Sequence, residues 1–165
     1  MTRSRSSPKT PRIFTSIETG AMEPEAINQL FQRAGMPARD LDKLSTALQN
    51  SLFCVTARIL STRELVGFLR ADGDGVFNVT LWDFVVDPQL ANRDETKELL
   101  IDRLQREVQR SFSRCSVSIL GQPKDLPLLR CANFNADQKG IRAMALRQNS
   151  LGYRLRQLRR LNFGN

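Results

Sequence analysis

Histidine is absent from this 165-residue chain. Its absence excludes Ser-His-Asp and Cys-His catalysis, His-ligated zinc and an imidazole pH switch. Cysteine is scarce: Cys54, Cys115 and Cys131 lie far apart and form no CxxC pair. That usage fits a reducing compartment and argues against a disulfide framework or a four-cysteine metal site, so no metal is expected. Tryptophan and tyrosine occur once each, as Trp82 and Tyr153. No apolar run approaches the roughly 18–20 residues that span a bilayer, and no signal-peptide core is expected after Met1. The remainder is ordinary for a soluble globular domain, with 41% apolar and 25% charged residues. The length suits one domain of about 100–150 residues with tails.

Acidic residues are missing from both ends. Residues 1–17 carry Arg3, Arg5, Lys9 and Arg12 without an acid, and residues 138–165 carry seven basic groups, again without one. The middle therefore holds 14 basic and 17 acidic residues, a net of −3 within a total of +8. Attraction to nucleic acid, an anionic membrane or an acidic partner is thus expected from the ends and not from a folded face. Residues 1–22 read as a basic, disordered N-terminal tail. The composition of this tail also suits an organelle transit peptide, although a solvated tail is favoured because amphipathic helical spacing is lacking.

In the body, Ile27, Leu30, Phe31 and Ala34 recur at helical spacing before Gly35, a natural stop. Pro37 and Asp40 open a second helix with Leu41, Leu44, Leu48 and Leu52 on one face. From Ser51 to Ile59 the pattern alternates, Phe53, Val55, Ala57 and Ile59 against Cys54, Thr56 and Arg58. Leu65 to Ala71 reads as the return strand, closed by Asp72-Gly73-Asp74-Gly75. Val76 to Val86 follows as the longest strand, with Trp82 expected in the core. Glu95 to Phe112 is an amphipathic helix with Leu100, Leu104, Val108 and Phe112 as its apolar stripe. A strand from Cys115 to Leu120, a short helix from Leu126 to Ala132 and a last strand from Ile141 to Leu146 complete the order. It predicts an α+β domain with an antiparallel start and a βαβ crossover.

Two segments carry a family likeness. Leu65-Val66-Gly67-Phe68-Leu69-Arg70-Ala71 and the run from Asp74-Gly75-Val76-Phe77-Asn78 through Trp82-Asp83 to Val85-Val86-Asp87-Pro88 stand in the register of "VGFARA", "DGVFNATIWD" and "VVDP". With weaker support from Pro37 to Leu52 and Lys139 to Arg142, the chain resembles the GNAT superfamily of N-acetyltransferases, more narrowly its small cyanobacterial and plastid branch. The likeness covers about residues 26–146. It implies a single GNAT-like domain over 23–146, a mixed and mostly antiparallel sheet flanked by helices, and acetyl-CoA as cofactor if the protein is active, with no cofactor as the alternative. The implied location is the cytoplasm of a cyanobacterium, or the plastid stroma if the N-terminus is a transit peptide.

The likeness also fixes where this chain departs. In such enzymes a loop reading Arg/Gln-x-x-Gly-x-Gly/Ala presents backbone amides to the coenzyme pyrophosphate. Val85 and Val86 lead into that loop, which here reads Ala91 to Lys97, with Asn92, Asp94 and Thr96 at the glycine positions. The matched cofactor-binding positions are Val85, Val86, Asn92, Arg93, Asp94, Thr96 and Lys97. Asp94 and Glu95 place negative charge where an anion would bind, although the same acids, with Thr96, also suit the cap and first turn of a helix. Leu129 stands where the family's tyrosine protonates the leaving thiolate, and it cannot donate a proton. Cys131, two positions on, is expected as a buried structural thiol. Asp83 remains, either as a base or acceptor-positioning group or as a structural partner to an arginine. Two readings of function stay open. One is a catalytically impaired member acting as a binding or regulatory subunit. The other is a working enzyme that transfers acetyl from acetyl-CoA to a protein or small amine.

Residues 147–165 form a basic amphipathic extension, with Leu151, Leu155 and Leu158 interleaved by Arg154, Arg156, Arg159 and Arg160. It is expected to contact a protein partner through those arginines, with RNA or an anionic membrane surface as further candidates or simple packing on the domain as the bland one. Nothing in the sequence sets an oligomeric state.

Overall fold

The computed structural model describes residues 10–20 and 22–136. The expected strand at 141–146 and the basic extension at 147–165, with Arg154, Arg156, Arg159 and Arg160, lie outside the described residues, as do residues 1–9 of the tail. Within them the chain runs β1 (Ile13–Glu18), α1 (Pro24–Arg33), α2 (Leu41–Gln49), β2 (Phe53–Ile59), β3 (Leu65–Gly73), β4 (Asn78–Val86), α3 (Arg93–Ser111), β5 (Ser116–Ile119) and α4 (Leu126–Cys131). A 3-10 turn, Pro123–Asp125, leads into α4. The sheet order is β1-β2-β3-β4-β5, antiparallel except for the parallel β4–β5 pair that α3 bridges. The α+β fold with its crossover matches the sequence reading.

Local chemistry sets the element ends. Pro24 starts α1 at a position whose amide is unpaired in any helix. At the other end Gly35 adopts φ +75°. The amide of Gly35 reaches the Gln32 carbonyl and that of Met36 the Phe31 carbonyl, the paired bonds of a glycine-terminated helix. Asp40 caps α2 by accepting from the Lys43 amide at 2.9 Å. Leu52 falls beyond α2, which ends at Gln49, and so does not extend the helical face as expected.

Strand alternation sorts the core into two layers. Val55, Ala57, Leu69, Ala71, Val79 and Leu81 face α3 and its Leu100, Ile101 and Leu104. Cys54, Phe68 and Val85 face Ile27, Leu30 and Phe31 of α1 and Leu44 and Leu48 of α2. Burial pushes the Cys54 thiol up to about 12, against the nearby Arg70 charge, and makes it an inert core group at neutral pH.

Two boundaries and one burial differ from the sequence reading. The tail expected over residues 1–22 is interrupted by β1, which pairs with β2 from Ile13↔Ile59 to Glu18↔Cys54. Its residues are all half-buried, so its side chains never show the clean alternation that would single them out. Val76 and Phe77 stand in the turn before β4 and not in the strand, because the Asp74 carboxylate accepts from the amides of Val76, Phe77 and Asn78. Cys131 ends α4 exposed, not buried, since Leu129 takes the inward position on that short helix.

Candidate functional site at the split between β4 and β5

The functional region forms where β4 leaves β5. Their pairing runs from Asn78↔Ser116 to Leu81↔Ile119, and the Leu120 amide makes a last bond to the Leu81 carbonyl. Immediately afterwards β4 carries a bulge. Phe68 pairs with Val85 and Arg70 with Trp82, so Asp83 and Phe84 together oppose Leu69. Asp83 absorbs the extra residue with φ +58°, a conformation that asparagine and aspartate tolerate better than most side chains.

Beyond the bulge lies a cavity of about 240 Å³. Phe84, Val85 and Val86 form its β4 wall, Arg93, Asp94 and Lys97 the start of α3, and Gln122, Lys124 and Asp125 the turn after β5. Ala34 and Met36 border it from the α1–α2 connection. Of the matched cofactor-binding positions, the structure thus gathers Val85, Val86, Arg93, Asp94 and Lys97. It leaves out Asn92, whose amide nitrogen donates to the Pro11 carbonyl at 3.2 Å. It also leaves out Thr96, which is fully buried and donates its hydroxyl back to the Asn92 carbonyl at 2.9 Å. Thr96 therefore does not cap α3 by accepting from its amides. The helix begins without any side-chain cap.

The charges at this cavity are mostly internally matched. Lys97 donates to Asp125 at 2.6 Å, and the Asp125 side chain is 2% exposed. Arg93 lies 3.2 Å from Asp94 on the surface. Asp125 was not singled out from sequence, because nothing in Gln122-Pro123-Lys124-Asp125 marks an acid that faces a lysine 28 residues earlier. Just past the end of β4, Asp87 accepts from Arg33 at 2.5 Å and from the Gln89 amide at 2.9 Å. Those two bonds set the turn that carries the chain from β4 into α3.

Asp83 stands outside the cavity. Its side chain is 7% exposed and is forked by Arg39, Nη1 to Oδ2 at 2.9 Å and Nη2 to Oδ1 at 2.5 Å, with Arg70 Nε at 3.2 Å. The arginine-partner reading of Asp83 is thus its geometry. Trp82, expected in the core, is 39% exposed. It stands opposite Arg70 at the bulge. Leu129 is 2% exposed and belongs to the α3-side core. It sits so close to Gly121 that a Cβ there would come within 2.6 Å of Leu129 Cδ1. Among the described residues no group of His, Cys, Asp and Glu could hold a metal ion, and no helix is long and apolar enough to cross a membrane.

A coenzyme A diphosphate fits this donor set poorly. The free amides of the first turn of α3 favour an anion, but the Asp94 carboxylate stands among them. Of the three cations lining the cavity, Lys97 is engaged by the buried Asp125 and Arg93 by Asp94, which leaves Lys124. The cavity is also below the roughly 300–1,000 Å³ of ordinary small-molecule sites.

No protein-family model matches the chain. GCN5-related N-acetyltransferase 1, chloroplastic, of Arabidopsis thaliana is 33% identical over 126 residues, 76% of this chain and 63% of that protein. The chain therefore spans somewhat under two thirds of that relative. Serotonin N-acetyltransferase 2, chloroplastic, of rice is 30% identical over 148 residues, 88% of this chain and 68% of that protein. Among solved structures, a GNAT family acetyltransferase from Streptococcus pneumoniae superposes with a TM-score of 0.66 at 20% identity, covering 84% of this chain and all of that one. This last likeness speaks to fold alone. The sequence relatives show the family and the superposition agrees in fold: the chain belongs to the GNAT superfamily of N-acetyltransferases and is of the plastid and cyanobacterial type.

Proposed function

We propose that this chain is a GNAT-fold subunit that binds or regulates, with acetyl transfer from acetyl-CoA impaired. The observation that carries the reading is the Lys97–Asp125 pair at 2.6 Å. It ties the start of α3 to the turn after β5 at the cavity where the family's coenzyme would enter. The substituted glycine positions and Leu129 in place of a proton donor add to it. The partner-facing surface in this proposal is the basic extension at 147–165, through Arg154, Arg156, Arg159 and Arg160. An acidic protein is the partner it suits, in the cytoplasm of a cyanobacterium or in a plastid stroma.

Two arms test the proposal. In the first, acetyl-CoA is titrated while thermal stability is followed. No shift is expected, whereas a ligand at 100 times its dissociation constant would add about 2.7 kcal/mol. A shift of that size would overturn the reading in favour of an active N-acetyltransferase using a protein or small-molecule amine. In the second, truncation after Asn149 is expected to abolish partner capture without lowering the melting temperature. Undiminished capture would remove the extension from the proposal.

A further inference from the structure

We infer that the acceptor side of the cleft is a guanidinium site whose resident ligand is the chain's own Arg39, so that the α1–α2 connection straps the site shut. The inference rests on the reading of the split strands as a GNAT cleft, with Asp83 outside the coenzyme cavity.

Arg39 meets the two elements that recognise a guanidinium group. One is a carboxylate in fork geometry, supplied by Asp83 at 2.9 and 2.5 Å. The other is an aromatic face, supplied by Phe31, whose ring centroid lies 4.7 Å from the Arg39 Cζ. Phe31 is itself fully buried and fixed edge-on to Phe68 with centroids 6.2 Å apart. Asp83 is placed by the β4 bulge and oriented by Arg70, which in turn reaches Asp72 at 3.2 Å. The receiving groups are therefore held by the core and the sheet. The occupant sits on a connection: Ala34 to Asp40 joins α1 to α2, and the Arg39 side chain remains 37% exposed.

At Arg39 the backbone of that connection is held by one side chain. Asn28 donates to the Arg39 carbonyl at 2.7 Å and accepts from the Arg39 amide at 2.9 Å. The same connection brings Ala34 and Met36 to the coenzyme-side cavity. Withdrawal of Arg39 would free Asp83 and Phe31 for a cationic side chain from outside and loosen one wall of that cavity. An external ligand for this site is an arginine or other guanidinium-bearing group, and at rest it has to displace Arg39.

The test needs no coenzyme, so its outcome is separate from the titration above. Arg39→Ala removes the occupant, and ethylguanidinium chloride at millimolar concentration is the probe, with ammonium chloride as the ionic-strength control. The expected result is a saturable rise in melting temperature for Arg39→Ala, none for the wild type, and none for Arg39→Ala combined with Asp83→Asn. An unsaturable response, or an equal one in wild type, overturns the inference. Should Arg39→Ala fail to fold, Arg39→Lys keeps the charge and loses the fork. Amide hydrogen exchange in residues 34–40 is then expected to quicken about tenfold, with β2 and β3 unchanged. Unaltered exchange in residues 34–40 overturns the inference equally.

Discussion

Gly67 shows how tightly a single position can be set. It lies on β3 under α3, and a Cβ there would meet Ala57 Cβ and Leu100 Cδ1 at 2.9 Å and Val86 Cγ2 at 3.4 Å. The neighbour on β2 or the Leu100 side chain on α3 would have to give way. Gly67→Ala is expected to destabilise the fold by about 1–3 kcal/mol, the usual cost of overpacking, read as a lower urea midpoint with an unchanged slope. The likeness to "VGFARA" marks this glycine without saying why it is there; the reason is the depth at which α3 packs. Asp83 and Asp125 are legible only as acids in strand and turn. Their partners sit 44 and 28 residues away on other elements, and no spacing rule along the chain connects them.

Among the elements, the turn between β3 and β4 carries its own pH dependence. Three backbone amides and the Asn78 side chain converge on Asp74, and the bonds from Asn78, Val76 and Phe77 hold its carboxyl below the ordinary carboxylate value. A group depressed on folding lends stability above its unfolded value and loses it as the pH falls through the folded one. The melting-temperature gap between wild type and Asp74→Asn is therefore expected to be constant above about pH 4 and to close below it. A gap that widens in acid would contradict this assignment. Most elements were readable because their periodicity is strong: α3 shows its apolar stripe, and β2 alternates. β1 was hidden because six half-buried residues follow a run of Pro, Ser and Arg that reads as tail. The family register located the loop before α3. It did not reveal that Thr96 turns inward and that Asn92 reaches back to Pro11.

At the scale of the whole molecule, the basic total conceals an acidic body. The described residues include the Glu18, Asp87, Asp125 and Glu107 carboxylates, each matched to arginine, lysine or serine. Burial works against the Glu107 charge, but hydrogen bonds from Arg110 and Ser111 outweigh it and keep that carboxyl low. Long-range attraction is thus left to the termini, and it should weaken steeply with salt.

The sheet order has a kinetic side. β2, β3 and β4 join through short connections, whereas each edge strand pairs across intervening helices: Ile13 with Ile59 and Asn78 with Ser116. Contacts that close long stretches of chain form late, so the central three strands should make up the folding nucleus and the edges should be recruited afterwards. Ile17→Val in β1 and Ile119→Val in β5 are expected to hasten unfolding while leaving the refolding rate within about twofold, as for positions unformed in the transition state. Stopped-flow chevrons would check this, and a matching loss in the refolding limb would reverse the order. β5 borders the split that holds the cavity, so the part of the sheet that shapes the site is also the part that the chain completes last and releases first.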